Sequence, residues 1–117
     1  MTPSEFKKVI KKSEIVVDLS IMQQYKVGHS YRWVDPRTQK NYWGYYAVYP
    51  IAITDIQVFI VCPYCGEVHC HGRSSDKSGV GYRCPHCCNK PKDAKSYFIR
   101  DNEETRMERY TEFKLSK

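Results

Sequence analysis

A chain of 117 residues with a formal net charge of +6 and 41% hydrophobic residues supports one compact domain, or a small core fused to a metal subdomain. No apolar run reaches the roughly 18 to 20 residues of a membrane span. The lysine-rich N-terminal segment lacks the uninterrupted apolar stretch of a secretory signal, so neither insertion nor export is expected.

The first predicted element is a short helix. Thr2 can cap it, Pro3 suits the first helical position, and Glu5 completes a capping box. Phe6, Val9 and Ile10 fall on one face, while Lys7, Lys8, Lys11 and Lys12 form a solvated or phosphate-facing side. The β-branched run Ile15 to Leu19 reads as a strand, and Met22 to Val34 continues with a looser alternation that includes Tyr25, Tyr31 and Trp33. Turn chemistry over residues 35 to 39, with Pro36 fixing φ, precedes a second aromatic strand, Asn41 to Tyr49. Together these two strands read as a hairpin with aromatics on both faces. One face must pack. The other offers Trp43 and Tyr45 as a platform for bases or for a protein partner. Ile53 to Val61 then forms a further strand that runs into Cys62.

Residues 62 to 87 hold the strongest signal. Cys62 and Cys65 make one C-x-x-C pair and Cys84 and Cys87 another, with eighteen residues between them. Each pair places two sulfurs on the same side of a tight bend, so the two can share one tetrahedral Zn²⁺ through four thiolates. The pattern resembles the zinc ribbon family, in which two such knuckles sit at the tips of neighbouring β-hairpins. Gly66, directly after the first knuckle, fits a turn that ends with φ > 0, whereas Cys88 stands where a small turn residue is usual after the second. Cys62, Cys65, Gly66, His69, His71, Gly72, Gly81, Arg83, His86 and Cys87 also follow the order seen in small phage-borne proteins with C-P-x-C-G, H-x-H-G and G-x-R-x-x-H-C. That resemblance implies a viral or mobile-element origin.

Other donors lie beside the four cysteines. His86 sits inside a knuckle and can compete with a thiolate. His69 and His71 share one strand face and read either as solvent-facing residues or as auxiliary ligands and their supports. Cys70, on the opposite face, reads as a small buried hydrophobe. With four cysteines used as metal ligands, disulfides are not required, and a reducing cytoplasm is the expected compartment.

After the ribbon, Asn89 to Lys95 is a polar linker, Ser96 to Arg100 a short strand, and Glu103 to Leu115 a C-terminal helix with acid near its start. The expected architecture is α+β: a small antiparallel sheet with a zinc ribbon and short N- and C-terminal helices. Its segments are 1–61, 62–100 and 101–117.

Positive charge concentrates on the ribbon. Residues 62 to 100 carry seven Lys/Arg against three Asp/Glu, whereas residues 101 to 117 carry four against five. Arg73, Lys77, Arg83, Lys90, Lys92 and Lys95 are therefore candidate phosphate contacts beside the stacking candidates Trp43 and Tyr45. The same balance also serves a small domain simply to stay dispersed.

Catalysis is not expected. No H-x-E precedes a P-C-x-x-C, and H-E-x-x-H, a phosphate loop and a nucleophile elbow are all missing from the sequence. A Zn²⁺ held by four thiolates has no open position for water. His69, His71 and His86 near Arg83 are the one cluster with residue types for phosphodiester chemistry. The expected function is nucleic-acid binding through the basic ribbon and neighbouring aromatics, on single or double strands. The alternative is a protein-interaction module, a viral or mobile-element factor that docks on a host nucleoprotein enzyme and inhibits or redirects it. Neither reading involves a membrane or a small-molecule substrate.

Overall fold

The first helix forms where the capping residues place it. In the structure, a computed structural model describing residues 1–10, 17–54, 56–73, 81–84 and 95–100, α1 spans Pro3–Val9. Thr2 Oγ1 accepts from the Glu5 N–H at 3.2 Å, and Glu5 Oε1 accepts from the Thr2 N–H at 2.7 Å. Phe6 is fully buried, with its ring 6.1 Å from that of Trp33 and 5.6 Å from that of Phe59. Ile10 is buried too, but Val9 is 61% exposed and does not share their face. With only seven residues, the helix has room for one buried stripe, made by Pro3 and Phe6 and continued by the C-cap residue Ile10.

Among the described residues, three small sheets follow instead of one antiparallel sheet. The first pairs β1, Gln23–Val27, with β2, Ser30–Val34; the second has the order β3 (Gln39–Lys40), β4 (Tyr46–Val48), β9 (Tyr97–Ile99), β8 (Gly81–Arg83); the third has the order β5 (Ala52–Ile53), β6 (Gln57–Val61), β7 (Val68–Gly72). All the pairs are antiparallel except β4 with β9, which run parallel. The result is a sheet-rich α+β fold with one short helix among the described residues. The expected C-terminal helix, residues 103 to 115, lies outside them.

Several long strand readings are broken by turns. Val17 is a bend, and Leu19–Ile21 is a 3₁₀ turn capped by Asp18, whose Oδ1 accepts from the Ser20 N–H at 2.9 Å. The run from Met22 to Val34 is itself a hairpin. Val27 pairs with Ser30, leaving a two-residue loop whose first position, Gly28, has the φ of 63° that such turns require. The aromatic run after Lys40 begins with a turn, because the Asn41 side chain accepts from the Trp43 and Tyr45 N–H groups at 3.0 and 2.9 Å. Only Tyr46–Val48 remains strand. Ile53 to Val61 splits at Thr54, whose hydroxyl accepts from the Gln57 N–H at 3.0 Å, so that β5 folds back on β6.

The turn at residues 35 to 38 forms as expected. Asp35, buried, takes a bidentate pair of bonds from Arg37 at 3.0 and 2.7 Å, and Arg37 Nη2 also donates to the Pro50 carbonyl at 3.2 Å.

β6 separates two hydrophobic clusters. Phe59 and Val61 pack with Phe6, Leu19, Met22, Trp33 and Ile51 on one side. Val58, Ile60 and Cys62 pack with Val48, Tyr97 and Ile99 on the other. Alternation along one strand therefore feeds both cores. Among the described residues, no helix is long and apolar enough to cross a membrane.

Phe6→Ala should test how far α1 is part of the first core. Truncating a fully buried Phe costs about 3 to 5 kcal/mol, and an unfolding free energy from urea titration within about 0.5 kcal/mol of wild type would show that α1 is dispensable.

Candidate metal centre and aromatic face

β6 delivers Cys62 to the mouth of a turn, and β7 returns antiparallel from it, so the first knuckle is the tip of a β-hairpin. Within the turn, the Gly66 N–H donates to the Cys62 carbonyl at 2.9 Å and the Cys62 N–H to the Glu67 carbonyl at 2.9 Å. The Tyr64 N–H points at Cys62 Sγ, 3.4 Å away. Gly66 has φ of 75°, and a Cβ there would lie 2.7 Å from the Arg32 Cβ and 3.1 Å from the Trp33 carbonyl oxygen. Only glycine allows β2 to approach this closely, and the Trp33 N–H uses that approach to donate to the Gly66 carbonyl at 2.9 Å.

Cys62, Cys65 and His69 place their donor atoms within 4.8 Å of one another. The Cys65 Sγ to His69 Nε2 separation is 3.4 Å, close to the S···N edge of about 3.5 Å set by a tetrahedron with metal–sulfur and metal–nitrogen bonds of about 2.3 and 2.0 Å. The donors fit a metal ion with soft and borderline ligands, and together they read C-x-x-C-x-x-x-H. His69 thus stands within reach of an ion held by the two cysteines. Cys84 follows β8 directly, is exposed and stands outside this three-donor group. Cys87, with His86 and Cys88, lies outside the described residues.

The register of β7 inverts the expected exposure of its neighbours. His69 pairs with Ile60 and His71 with Val58, so both imidazoles share the face that meets the second core. His71 is 7% exposed, and Cys70, on the other face, is exposed. The expected buried Cys70 is therefore corrected: the layer covering β7 comes from β9, far along the chain.

Tyr97 on β9 carries the contact. Its hydroxyl, on a fully buried side chain, lies 3.2 Å from His69 Nδ1 and 2.5 Å from His71 Nε2. Either direction of donation satisfies this chain. With a proton on His69 Nε2, that nitrogen donates to the Cys65 sulfur and Nδ1 accepts from Tyr97; with Nε2 on a metal, Nδ1–H donates to Tyr97, which donates to His71.

The thiols divide the charge. The Cys62 thiol donates to Cys65, and with the His69 contact this lowers the Cys65 pKa from the ordinary 9.0 to about 4. The same bond, together with burial, pushes Cys62 up. One thiolate is thus already in place for a cation.

The second candidate region is the outer face of the β3-β4-β9-β8 sheet. Tyr97, Ile99 and Val48 fill its inner face. Tyr82 and Phe98 stand in register on the outer face, with ring centroids 4.9 Å apart, and Tyr45 packs edge-on against Tyr82 at 6.0 Å. These rings border a groove of about 290 Å³ that Lys40 and Arg100 also line.

Of the residues expected to meet nucleic acid, Tyr45 lines this groove and Lys95 Nζ sits over its ring at 5.4 Å. Arg83 lies on β8 and donates to the Gly72 carbonyl at 3.1 Å. Trp43, 71% exposed, stands in the turn between β3 and β4 beside Tyr42, 93% exposed. Arg73 donates to the Thr54 carbonyl at 2.7 Å and braces the β5–β6 turn. Lys77, Lys90 and Lys92 lie outside the described residues. Sequence reading missed Lys40, Tyr82, Phe98 and Arg100 as groove residues; they come from three segments far apart in the chain, and only sheet pairing gathers them.

Tyr97→Phe keeps the buried ring and removes the hydroxyl that both histidines use. Metal affinity, measured by competition with a chromophoric chelator, should fall about 10- to 100-fold, and unchanged affinity would remove His69 from the ligand set. In the metal-free protein, ultraviolet thiolate absorbance should persist well below the usual thiol range. Because the folded pKa is depressed, the stabilisation from Cys65 is full above 9.0 and is lost as pH falls toward about 4. A thiolate signal that vanishes near the ordinary value would contradict the pairing.

Comparison of the chain with protein-family models, with curated proteins and with solved structures finds no match in any of the three.

Proposed function

We propose that this chain is a non-catalytic, zinc-stabilised module that binds nucleic acid through the outer face of its four-stranded sheet. The observation that carries the reading is the groove bordered by Tyr45, Tyr82 and Phe98 and lined by Lys40 and Arg100, with no carboxylate among its described lining residues. Exposed rings stack on bases of any sequence, and the surrounding cations neutralise phosphates.

Zinc belongs to the fold in this reading. Cys62 and Cys65 supply the fixed pair, His69 the third donor, and one cysteine of the Cys84 and Cys87 knuckle completes the set. The four-thiolate arrangement of a zinc ribbon is the variant in which both of those cysteines bind and His69 supports the ion from outside. In either case the ion has four protein ligands and no site for water, so its chemistry is structural. It ties the β6–β7 tip to the segment that leads from β8, and its binding free energy becomes folding free energy.

A protein-interaction role is the second reading, and Tyr42 and Trp43 favour it. Two large exposed aromatics at one turn tip are the residue types that anchor protein interfaces.

Protein purified without chelator should carry one zinc per chain by elemental analysis, and Cys62→Ser should lose the ion and several kcal/mol of stability. Metal-free protein as stable as the zinc-loaded form would sink the structural-zinc reading. Oligonucleotide affinity should fall with salt, each neutralised phosphate adding about 0.7 to 0.9 to the log–log slope, and Lys40→Ala or Lys95→Ala should flatten it. No binding to either strand form near physiological salt would hand the case to a protein partner docking on Tyr42 and Trp43.

A further inference from the structure

The walls of the groove are more selective than a basic aromatic face alone requires. Tyr82 and Phe98 meet at an interplanar angle of 70°, and Tyr45 meets Tyr82 at 76°. Rings set this steeply do not make a flat platform for a continuous stack. They make a notch, in which a flat guest lies against one ring and meets the edge of the next.

Polar groups in the notch are unevenly placed. Gln39, exposed on β3 and in register with Ala47, offers an amide that can both donate and accept. Lys40 and Arg100, also lining residues, bring positive charge, and no acid stands among the described lining residues. A guest that fits therefore has a planar π face, hydrogen-bonding edges and a negative charge beside it. An unpaired nucleotide within a strand has all three.

We infer that the notch seats a single unstacked nucleobase, with the adjoining phosphate on Lys40 and Arg100, so that the protein selects single-stranded over duplex nucleic acid. The inference rests on the proposed nucleic-acid-binding function and adds the strand form and the seat of one base. A base in a duplex must leave its stack to enter, at a cost of a few kcal/mol, whereas a base in a single strand pays least. Tyr82 is the wall best suited to a test, because it is 62% exposed and belongs to neither buried cluster.

The experiment is fluorescence anisotropy with the intact zinc-loaded protein, using one labelled mixed-sequence oligonucleotide as single strand and as blunt duplex at the same salt concentration. Expected is at least about tenfold tighter binding of the single strand, with Tyr82→Ala lowering that affinity about 5- to 150-fold, the range of one lost base–aromatic stack. Tyr82→Phe should retain it, and duplex affinity should not move in either variant. Zinc content and far-ultraviolet circular dichroism of each variant identify any loss due to misfolding, in which case Phe98→Leu replaces Tyr82→Ala as the wall variant. Equal affinity for both strand forms, or single-strand binding indifferent to both wall variants, overturns the notch while leaving nucleic-acid binding intact. No binding of either form overturns the function on which the inference rests.

Discussion

Burial of β6 on both faces is the constraint on which the rest of the structure depends. A strand so placed must be apolar at every position, and Val58, Phe59, Ile60 and Val61 meet that demand in succession. Odd positions close over α1 and the β1–β2 hairpin, while even positions close under β4 and β9. Cys62 is the next even position, so the first candidate ligand enters the second core as a continuation of the strand. The rigidity of the knuckle follows: its entry is fixed by a strand with no freedom to shift register, and its exit is fixed by β7. A one-residue slip would turn His69 and His71 away from Tyr97 and put Cys70 in their place.

Much of this was legible in the sequence, for identifiable reasons. The capping box of α1, the turn after Asp35 and the hairpin setting of Cys62 and Cys65 all depend on residues close together, and local chemistry fixes them. The misread segments failed in a common way. Gly28, Asn41 and Thr54 each sit inside a run of β-formers, and one turn residue in such a run is outweighed when propensity is averaged along it. The exposure of β7 failed for a different reason. Alternation says which residues share a face, but which face is covered depends on β9, about thirty residues later, and no local pattern reports that. His69 stood in the sequence as an auxiliary-ligand candidate, and the β6–β7 hairpin is what brings it beside Cys65.

Strand β9 links the two candidate regions. Tyr97 faces inward to the histidines beside the knuckle, and Phe98, the next residue, faces outward into the aromatic face. Tyr64 adds a second tie, because its hydroxyl donates to the Lys95 carbonyl at 2.9 Å and accepts from the Lys95 N–H at 3.1 Å. The segment that enters β9 is thus held by the knuckle itself. Lys95 then turns its ammonium over Tyr45. The site that fits a metal and the face that offers rings and cations are separated by one strand's thickness and share its backbone.

The parallel pairing of β4 with β9 carries a kinetic cost. The β1–β2, β5–β6 and β6–β7 pairs are hairpins whose ends are near in sequence, and closing them sacrifices little chain entropy. Tyr46 must instead find Tyr97, with residues 47 to 96 between them. Contacts of such separation are slow to form. A nascent chain can therefore complete its first core while the second is still open, leaving Val48, Ile60 and Cys62 exposed until β9 arrives. During that interval the open edge of β4 is the part of the molecule most prone to pair with another chain.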